Sequence, residues 1–395
     1  MSRKNRPVQD DVAQQSSLSR RRLIQAAGVS TLAGIAGLAT TGAALPGSFS
    51  APLSRPRTGG TTLVLLGTAG GPTLYSGRAG VASAVVVGDA FYLVDLGHGA
   101  LGRAADAGLS TSTAPSARPL TGLAGVFLTH MHSDHLAEYA SLIINGMWNG
   151  ITDGAHPVPI YGPGDRGGLP PVLGNRPDPV VIAADEPTAG TVRMTERISE
   201  AFAADLNERL RGSGGVSPLA AFAPHDITLP AGVEAPVDHA PMPRIRPFAV
   251  HEDSRVRVTA TLVEHSPVFP SFAFRFDTDQ GSVTFSGDTA PSENLIELAQ
   301  GTDVLVHEVM DRQWAEARFP EPRTPAAEAT LRHLLESHTT IEDVGGVAES
   351  AGAGTLVLNH LAPGDNSISR WRQAGRGFSG RLVVGKDLDE IEVGR

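Results

Sequence analysis

Thr129-His130-Met131-His132-Ser133-Asp134-His135 follows directly on an apolar run, residues 122–129 (GLAGVFLT), and decides how the rest of the chain is read. Three imidazoles and one carboxylate fall within six residues at the end of a buried strand. A strand directs alternate side chains the same way, so His130 and His132 are expected to converge on one ion. The turn after them is expected to aim Asp134 and His135 at a neighbouring point. Zn²⁺ takes nitrogen and oxygen donors of this kind at about 2.0–2.2 Å. Cysteine is absent, which excludes disulfides, thiolate metal sites, iron–sulfur clusters and cysteine nucleophiles.

Working outward, short apolar strands punctuated by turn chemistry surround this motif. Residues 61–67 (TTLVLLG), 81–87, 90–95, 256–265, 271–277, 282–286, 302–307 and 354–359 read as strands, with a hairpin at Gly88-Asp89 and another at Asp279-Gln280-Gly281. Helices are expected at 136–147, 293–299, 325–337 and 341–351. This mixture predicts an α+β fold, two sheets packed face to face with helices outside. From 157 to 250 proline and glycine are dense and strand periodicity fades. We read that stretch as an insertion folding over the core as a lid or side wall, with one helix at 191–211 whose Val192, Ile198, Phe202, Leu206 and Leu210 share a face.

The first 50 residues read as an address, leaving 51–395 as one hydrolase-sized domain. A polar start precedes Ser19-Arg20-Arg21-Arg22, and a weakly apolar, Gly- and Thr-containing run follows from 26 to 45. This resembles a twin-arginine signal peptide, implying passage through the twin-arginine translocase to the periplasm, cell wall or exterior. A transmembrane anchor is the competing reading, since about 20 residues can span a bilayer. The chain carries 32 Lys+Arg against 42 Asp+Glu, a formal charge of −10, and six of the basic residues lie in the first 50. So acidic a body lacks the electrostatic footprint of a protein that grips long nucleic acids, which speaks against a nucleic-acid partner and for a small anionic ester. A dimer stays open.

The histidine motif is the signature of the metallo-β-lactamase superfamily, and the rest of the chain resembles it from about residue 61 onward, the insertion apart. The resemblance implies a four-layer αββα sandwich with a two-metal site along one edge. It implies that one ion takes His130, His132 and His265 and the other Asp134, His135 and His360, with Asp288 bridging. His265 stands in Val263-Glu264-His265, Asp288 in Ser286-Gly287-Asp288-Thr289 and His360 in Leu358-Asn359-His360. Asp95, in Leu93-Val94-Asp95-Leu96-Gly97, matches the early Asp that supports the ligands from behind. Within the superfamily the ribonuclease Z-like branch, which includes arylsulfatases and small phosphodiesterases, is the nearest match. Leu66-Gly67-Thr68-Ala69-Gly70-Gly71-Pro72 resembles its opening loop, His307-Glu308 its His-Glu element and Ser337-His338-Thr339-Thr340 its His-Ser/Thr motif. Catalytic roles for Asp134, Glu308 and His338 follow by that resemblance, although His338 also suits a helix C-cap. His98, His156, His225, His239 and His251 are weaker candidates for substrate contact.

Two departures direct the reading. Ribonuclease Z carries a long tRNA-gripping arm between the positions matching His265 and Asp288, where this chain has only 22 residues. The iron redox branch places Glu where His132 stands. The expectation is therefore an exported hydrolase with two divalent ions, Zn²⁺ first and Mn²⁺ or Fe²⁺ as alternatives, cleaving a small phosphodiester or sulfate ester with metal-bound hydroxide. A ribonuclease Z-type endoribonuclease and a lactonase or other carbonyl ester hydrolase are the alternatives. A metal-binding protein without turnover would have no need of all seven ligand positions. The address is testable directly. Replacing Arg20 and Arg21 by Lys should hold the precursor inside the cell, because the receptor reads guanidinium geometry and not charge alone; cell fractionation with an antibody to the mature chain checks it, and normal export of the Lys variant would refute the reading.

Overall fold

The computed structural model describes residues 60–394 except 111, 113, 115, 173–175 and 237–240. The address segment at 1–50 and His239 lie outside the described residues.

Fourteen strands form two sheets. They are β1 (Thr61–Gly67), β2 (Ala82–Val87), β3 (Ala90–Val94), β4 (Leu123–Phe127), β5 (Val158–Gly162), β6 (Phe222–Asp226), β7 (Phe248–Glu252), β8 (Arg257–Leu262), β9 (Phe272–Thr278), β10 (Gly281–Phe285), β11 (Val304–Met310), β12 (Thr355–Ala362), β13 (Arg381–Val384) and β14 (Glu390–Glu392). The first sheet runs β14-β1-β2-β3-β4-β5-β6 and the second β13-β12-β11-β10-β9-β8-β7. Each is mixed. β3 to β6 are parallel, as are β10 to β13, while the remaining pairs are antiparallel.

The inner faces of both sheets pack on each other through a core that includes Leu63, Tyr92, Phe127, Phe274, Phe276, Val283 and Val306. Outside the first sheet lie α1 (Ala100–Ala107), α2 (Ser133–Leu136), α3 (Tyr139–Asn145), α4 (Thr191–Ala201), α5 (Ala203–Ser213) and α6 (Pro218–Ala221). Leu93, Val126, Ala104 and Leu142 share an apolar cluster there. The second sheet is flanked by α7 (Glu293–Leu298), α8 (Arg312–Ala317), α9 (Pro325–Ser337), α10 (Val344–Ser350) and α11 (Ile368–Trp371). Leu305, Leu356, Leu295, Val347 and the fully buried Trp371 pack together on that side. Strands buried on both faces read as continuous apolar runs, which is why β2, β3 and β11 show no alternation. The result is the αββα sandwich.

Several local expectations are corrected. The helix at 191–211 is two helices broken at Phe202, whose φ of −101° and ψ of 14° leave the helical path. Its expected apolar face is buried only in part: Leu206 is buried and Ile198 packs on the core, while Phe202 is exposed. α4 buries Thr191, Thr195 and Ser199, and their hydroxyls donate to backbone carbonyls, Thr195 to Thr191 and Ser199 to Thr195. The stretch 157–250 supplies β5, β6 and β7, lengthening both sheets. Pro159 and Pro224 hid two of those strands from a reading by propensity. The helix expected at 136–147 begins earlier, so that Asp134 and His135 ride on α2.

Between the sheets, the Phe127 ring lies 5.0 Å from Phe276, 5.6 Å from Phe274 and 5.4 Å from Tyr161, centroid to centroid. Truncating it empties the middle of the sandwich just before the histidine motif. Phe127→Ala should lower unfolding free energy by about 3–5 kcal/mol in a urea titration, whereas Phe127→Leu should lose much less.

Candidate metal centre

The expected ligands, with Asp95 and Glu308, arrive at one rim of the sandwich, at or just beyond strand ends. Asp95 follows β3 and His130 follows β4; His265 follows β8 and Asp288 follows β10; Glu308 lies in β11 and His360 in β12. Period-two geometry does not explain His130 and His132, because β4 ends at Phe127 and both lie in the loop between it and α2. That loop is pinned on both sides: Leu128 N–H donates to Tyr161 of the first sheet, and Thr129 C=O accepts from Phe272 N–H of the second. His360 is the residue at which the β11–β12 register shifts, and its φ of 42° turns its backbone out of the regular ladder.

Donor atoms gather in three groups among the described residues. Two share Asp288: one holds His130, His132, His265 and Asp288, the other Asp134, His135, Asp288 and His360; a third, Glu308 with His338 and His360, adjoins the second through His360. Two donors at about 2.0–2.1 Å from one tetrahedral ion stand about 3.3 Å apart. His132 Nδ1 is 3.3 Å from His265 Nε2. His360 Nε2 is 3.2 Å from Asp134 Oδ2 and 3.3 Å from Asp288 Oδ2, and His135 Nε2 is 3.2 Å from Asp288 Oδ1. His130 Nε2, His135 Nε2 and Asp288 Oδ1 are buried with no hydrogen-bond partner. Buried polar atoms left orphaned cost free energy unless something else meets them. The donor set and spacing therefore fit divalent cations.

Partners behind the donors fix their orientation. His135 Nδ1–H donates to Asp95 at 2.8 Å, and Asp95 also accepts from the Thr129 N–H and hydroxyl at 2.8 Å each. This turns His135 Nε2 toward Asp288. His265 Nδ1–H donates to Ser337 C=O at 2.8 Å. Gly71 N–H donates to Asp134 Oδ2 at 3.0 Å, a contact that no side-chain pattern announces. A Cβ on Gly70 would stand 2.5 Å from His360 Nδ1, so that position needs glycine.

Protonation follows from burial and charge. Burial holds His130, His132 and His265 below the usual imidazole range, in the neutral form that ligates. Burial acts the same way on His135 and His360, but Asp288, with Asp95 or Asp134, outweighs it and raises both. Asp134 and Asp288 lie below the carboxylate range despite burial, because imidazoles surround them. Beside this cluster Glu308 Oε1 accepts from His338 Nδ1–H at 2.9 Å and from Thr289 N–H at 2.8 Å. Burial raises Glu308, and its charge and hydrogen bond push His338 up to about 9 against His338's own burial. His338 is also the α9 C-cap residue, so both readings of it describe one position.

Of the weaker histidines among the described residues, only His98 comes near. It lines a cavity of about 170 Å³ with Tyr75, Arg78, Ser133 and Asp134. Tyr75 and Arg78 were missed because nothing in their spacing marks them. His156 pairs with Asp153 on the surface, His225 stacks on Tyr161, and His251 bonds Tyr161 and Asp253. His307 faces away, donating from Nδ1 to Glu308 C=O.

No protein-family model matches the chain. Ribonuclease Z of Mycobacterium bovis (strain BCG / Pasteur 1173P2) is 32% identical over 334 residues, covering 84% of this chain and 98% of that protein. Ribonuclease Z of Mycobacterium tuberculosis (strain ATCC 25618 / H37Rv) is also 32% identical, covering 84% of this chain and 97% of that protein. Among solved structures, human tRNase Z, short form, superposes with a TM-score of 0.53 at 16% identity, covering 84% of this chain and 99% of that one. The metallo-β-lactamase fold protein YhfI from Bacillus subtilis does so with 0.51 at 18%, covering 84% and 99%. At such identities these two likenesses concern the fold alone. The curated relatives lean against the expectation that nucleic acid is no substrate: charge tallied over the whole chain says little about where an acidic enzyme meets RNA.

Asp95 makes a direct prediction. Asp95→Ala should weaken metal binding by about 10–100-fold, read by titration against a competing chelator. In the wild type, affinity should fall as pH falls, because His135 and His360 hold protons to higher pH than a free imidazole and a cation must displace them. Affinity flat between pH 8 and 5.5 would contradict the ligand set.

Proposed function

The chain belongs to the ribonuclease Z family of metal-dependent hydrolases with the metallo-β-lactamase fold, and from that premise we propose that it cleaves RNA phosphodiester bonds as a ribonuclease Z-type endonuclease. The observation that carries the reading is the Glu308–His338 pair standing beside a complete two-cation donor set, with His338 Nδ1 3.9 Å from Asp288 Oδ2.

His130, His132, His265, Asp134, His135, Asp288 and His360 would hold divalent ions, zinc by preference, which would supply Lewis acidity toward a phosphoryl oxygen and toward water. The chain's own residues do the rest. Asp134, kept ionised, accepts the proton of the attacking water or orients it. Glu308 holds His338 through Nδ1, which leaves Nε2 to face substrate and, with a raised pKa, to carry a proton at neutral pH. His338 then donates that proton to the departing oxygen. The cavity beside Asp134, with Tyr75, Arg78 and His98, receives groups that flank the scissile bond.

A second reading, hydrolysis of a small phosphodiester or sulfate ester after export, is favoured by the short span between His265 and Asp288. That span holds little beyond the β9–β10 hairpin, with no room for a long arm. Substrates divide the two. The metal-loaded enzyme should trim a tRNA 3′ trailer at one position and do so faster than it cleaves aryl phosphodiesters or aryl sulfates; the reverse ranking favours the second reading. Under either, His338→Ala should keep both ions and lose roughly 10²–10⁴-fold in turnover for alkoxide leaving groups, and far less for nitrophenolate. Loss of metal from that variant would make His338 a ligand instead.

A further inference from the structure

We propose that the open pocket around Trp148, outside the metal centre, is a contact site that stacks an unpaired base of an RNA substrate; the inference rests on the ribonuclease reading. Trp148 closes a 3-10 turn, Gly146–Trp148, at the far end of α3. Trp148 belongs to none of the donor clusters, and α3 separates it in sequence from Asp134 and His135 on α2.

The platform is held rigid before anything binds. Arg209 lies with its guanidinium carbon 5.7 Å from the Trp148 ring centroid, and its Nε–H contacts both oxygens of Asp205 at 2.8 Å. Backed in this way, the indole is still 41% exposed. It opens on a pocket of about 330 Å³ lined also by Arg118, Ser116, Thr121 and Thr152. The two walls are stapled: Leu120 N–H donates to Asn149 C=O at 2.8 Å, and Gly150, at a φ of 119°, approaches Thr121 so closely that a Cβ would sit 2.5 Å from its hydroxyl. Arg118 spends its guanidinium only on the neighbouring Ala117 carbonyl, and among the described residues no carboxylate pairs with it. One fixed aromatic face, one uncommitted cation and several hydroxyls are what a base with its phosphate requires. Stacking on an aromatic side chain is sequence-tolerant and worth about 1–3 kcal/mol per base, and it does not need a broadly cationic surface. That suits a chain of formal charge −10 without an arm to reach along the RNA.

The test uses the metal-loaded, full-length enzyme and a fluorescein-labelled RNA hairpin with a single-stranded 3′ trailer. Trp148→Ala should raise KM and the anisotropy-derived Kd for the hairpin about tenfold with kcat nearly constant, and Trp148→Phe should recover most of the loss. Arg118→Ala, a surface change, should raise both severalfold and reduce the slope of log Kd against log salt by about 0.7. Bis(4-nitrophenyl) phosphate is too small to span both sites, so its turnover reports on folding and metal loading in each variant. RNA cleaved with KM unchanged in Trp148→Ala and Arg118→Ala overturns the contact site alone. A wild type that cleaves the small diester but neither binds nor cleaves the hairpin overturns the ribonuclease reading, and the site with it.

Discussion

Asp288 is 2% exposed and lies within 4.0 Å of ring nitrogens from His130, His135, His265, His338 and His360. A carboxylate taken so far from water is tolerated only if charge and hydrogen bonds around it repay the desolvation. No single strand can assemble that many partners. They come from the end of β4, α2, the end of β8, β12 and the end of α9, while Asp288 itself follows β10, so both sheets must present their ends at one rim. The sandwich is in this sense the means of surrounding one buried anion, and cations placed between it and the imidazoles complete the balance.

Much of this was legible because ligands cluster in sequence wherever a strand stops. His130 to His135 form one motif, and His265, Asp288 and His360 each trail an apolar run. Strand positions could be read from β-branched runs and turn residues, and β1 and α9 fall where those signals put them. What could not be read is what depends on the backbone approaching from afar. Gly71 N–H reaches Asp134, Ser337 C=O holds His265, and neither carries a side-chain signature. The period-two argument for His130 and His132 reached the right convergence for the wrong reason, since a loop held between Tyr161 and Phe272 sets their direction. The helix at 191–211 was legible only in part for a comparable cause: Leu206 and Ile198 do turn inward, but hydroxyls of Thr195 and Ser199 satisfied by carbonyls on their own helix can face the core as well, and apolar spacing does not announce them.

Glu308 and His338 show how the fold separates two tasks a few ångströms apart. Glu308 is buried and His338 nearly so, and the two adjoin the seven expected donors through His360, with which they form a third cluster. Burial makes a lone Glu308 prefer its neutral form, and an imidazole there prefer to lose its proton. Placed in contact at 2.9 Å, each offsets part of the other's burial cost, and His338 keeps a proton that a lone buried imidazole would lose. Thr289 N–H, next in sequence to Asp288, anchors the same carboxylate at 2.8 Å. The loop that positions Asp288 therefore also positions Glu308 and, through it, His338.

That linkage bears on how substrate range changes within such a family. Donors and proton carrier are locked to the sheets, and altering them disturbs every substrate at once. Tyr75, Arg78 and His98 sit on connections outside the ladders, and Trp148 ends a helix on the outer layer. Loops and helix ends can exchange side chains without dismantling the buried cluster. A ribonuclease without an arm and a small-ester hydrolase thus differ in what surrounds the rim and not in the rim itself, which is why the metal motif alone could not choose between them and the outer surface must.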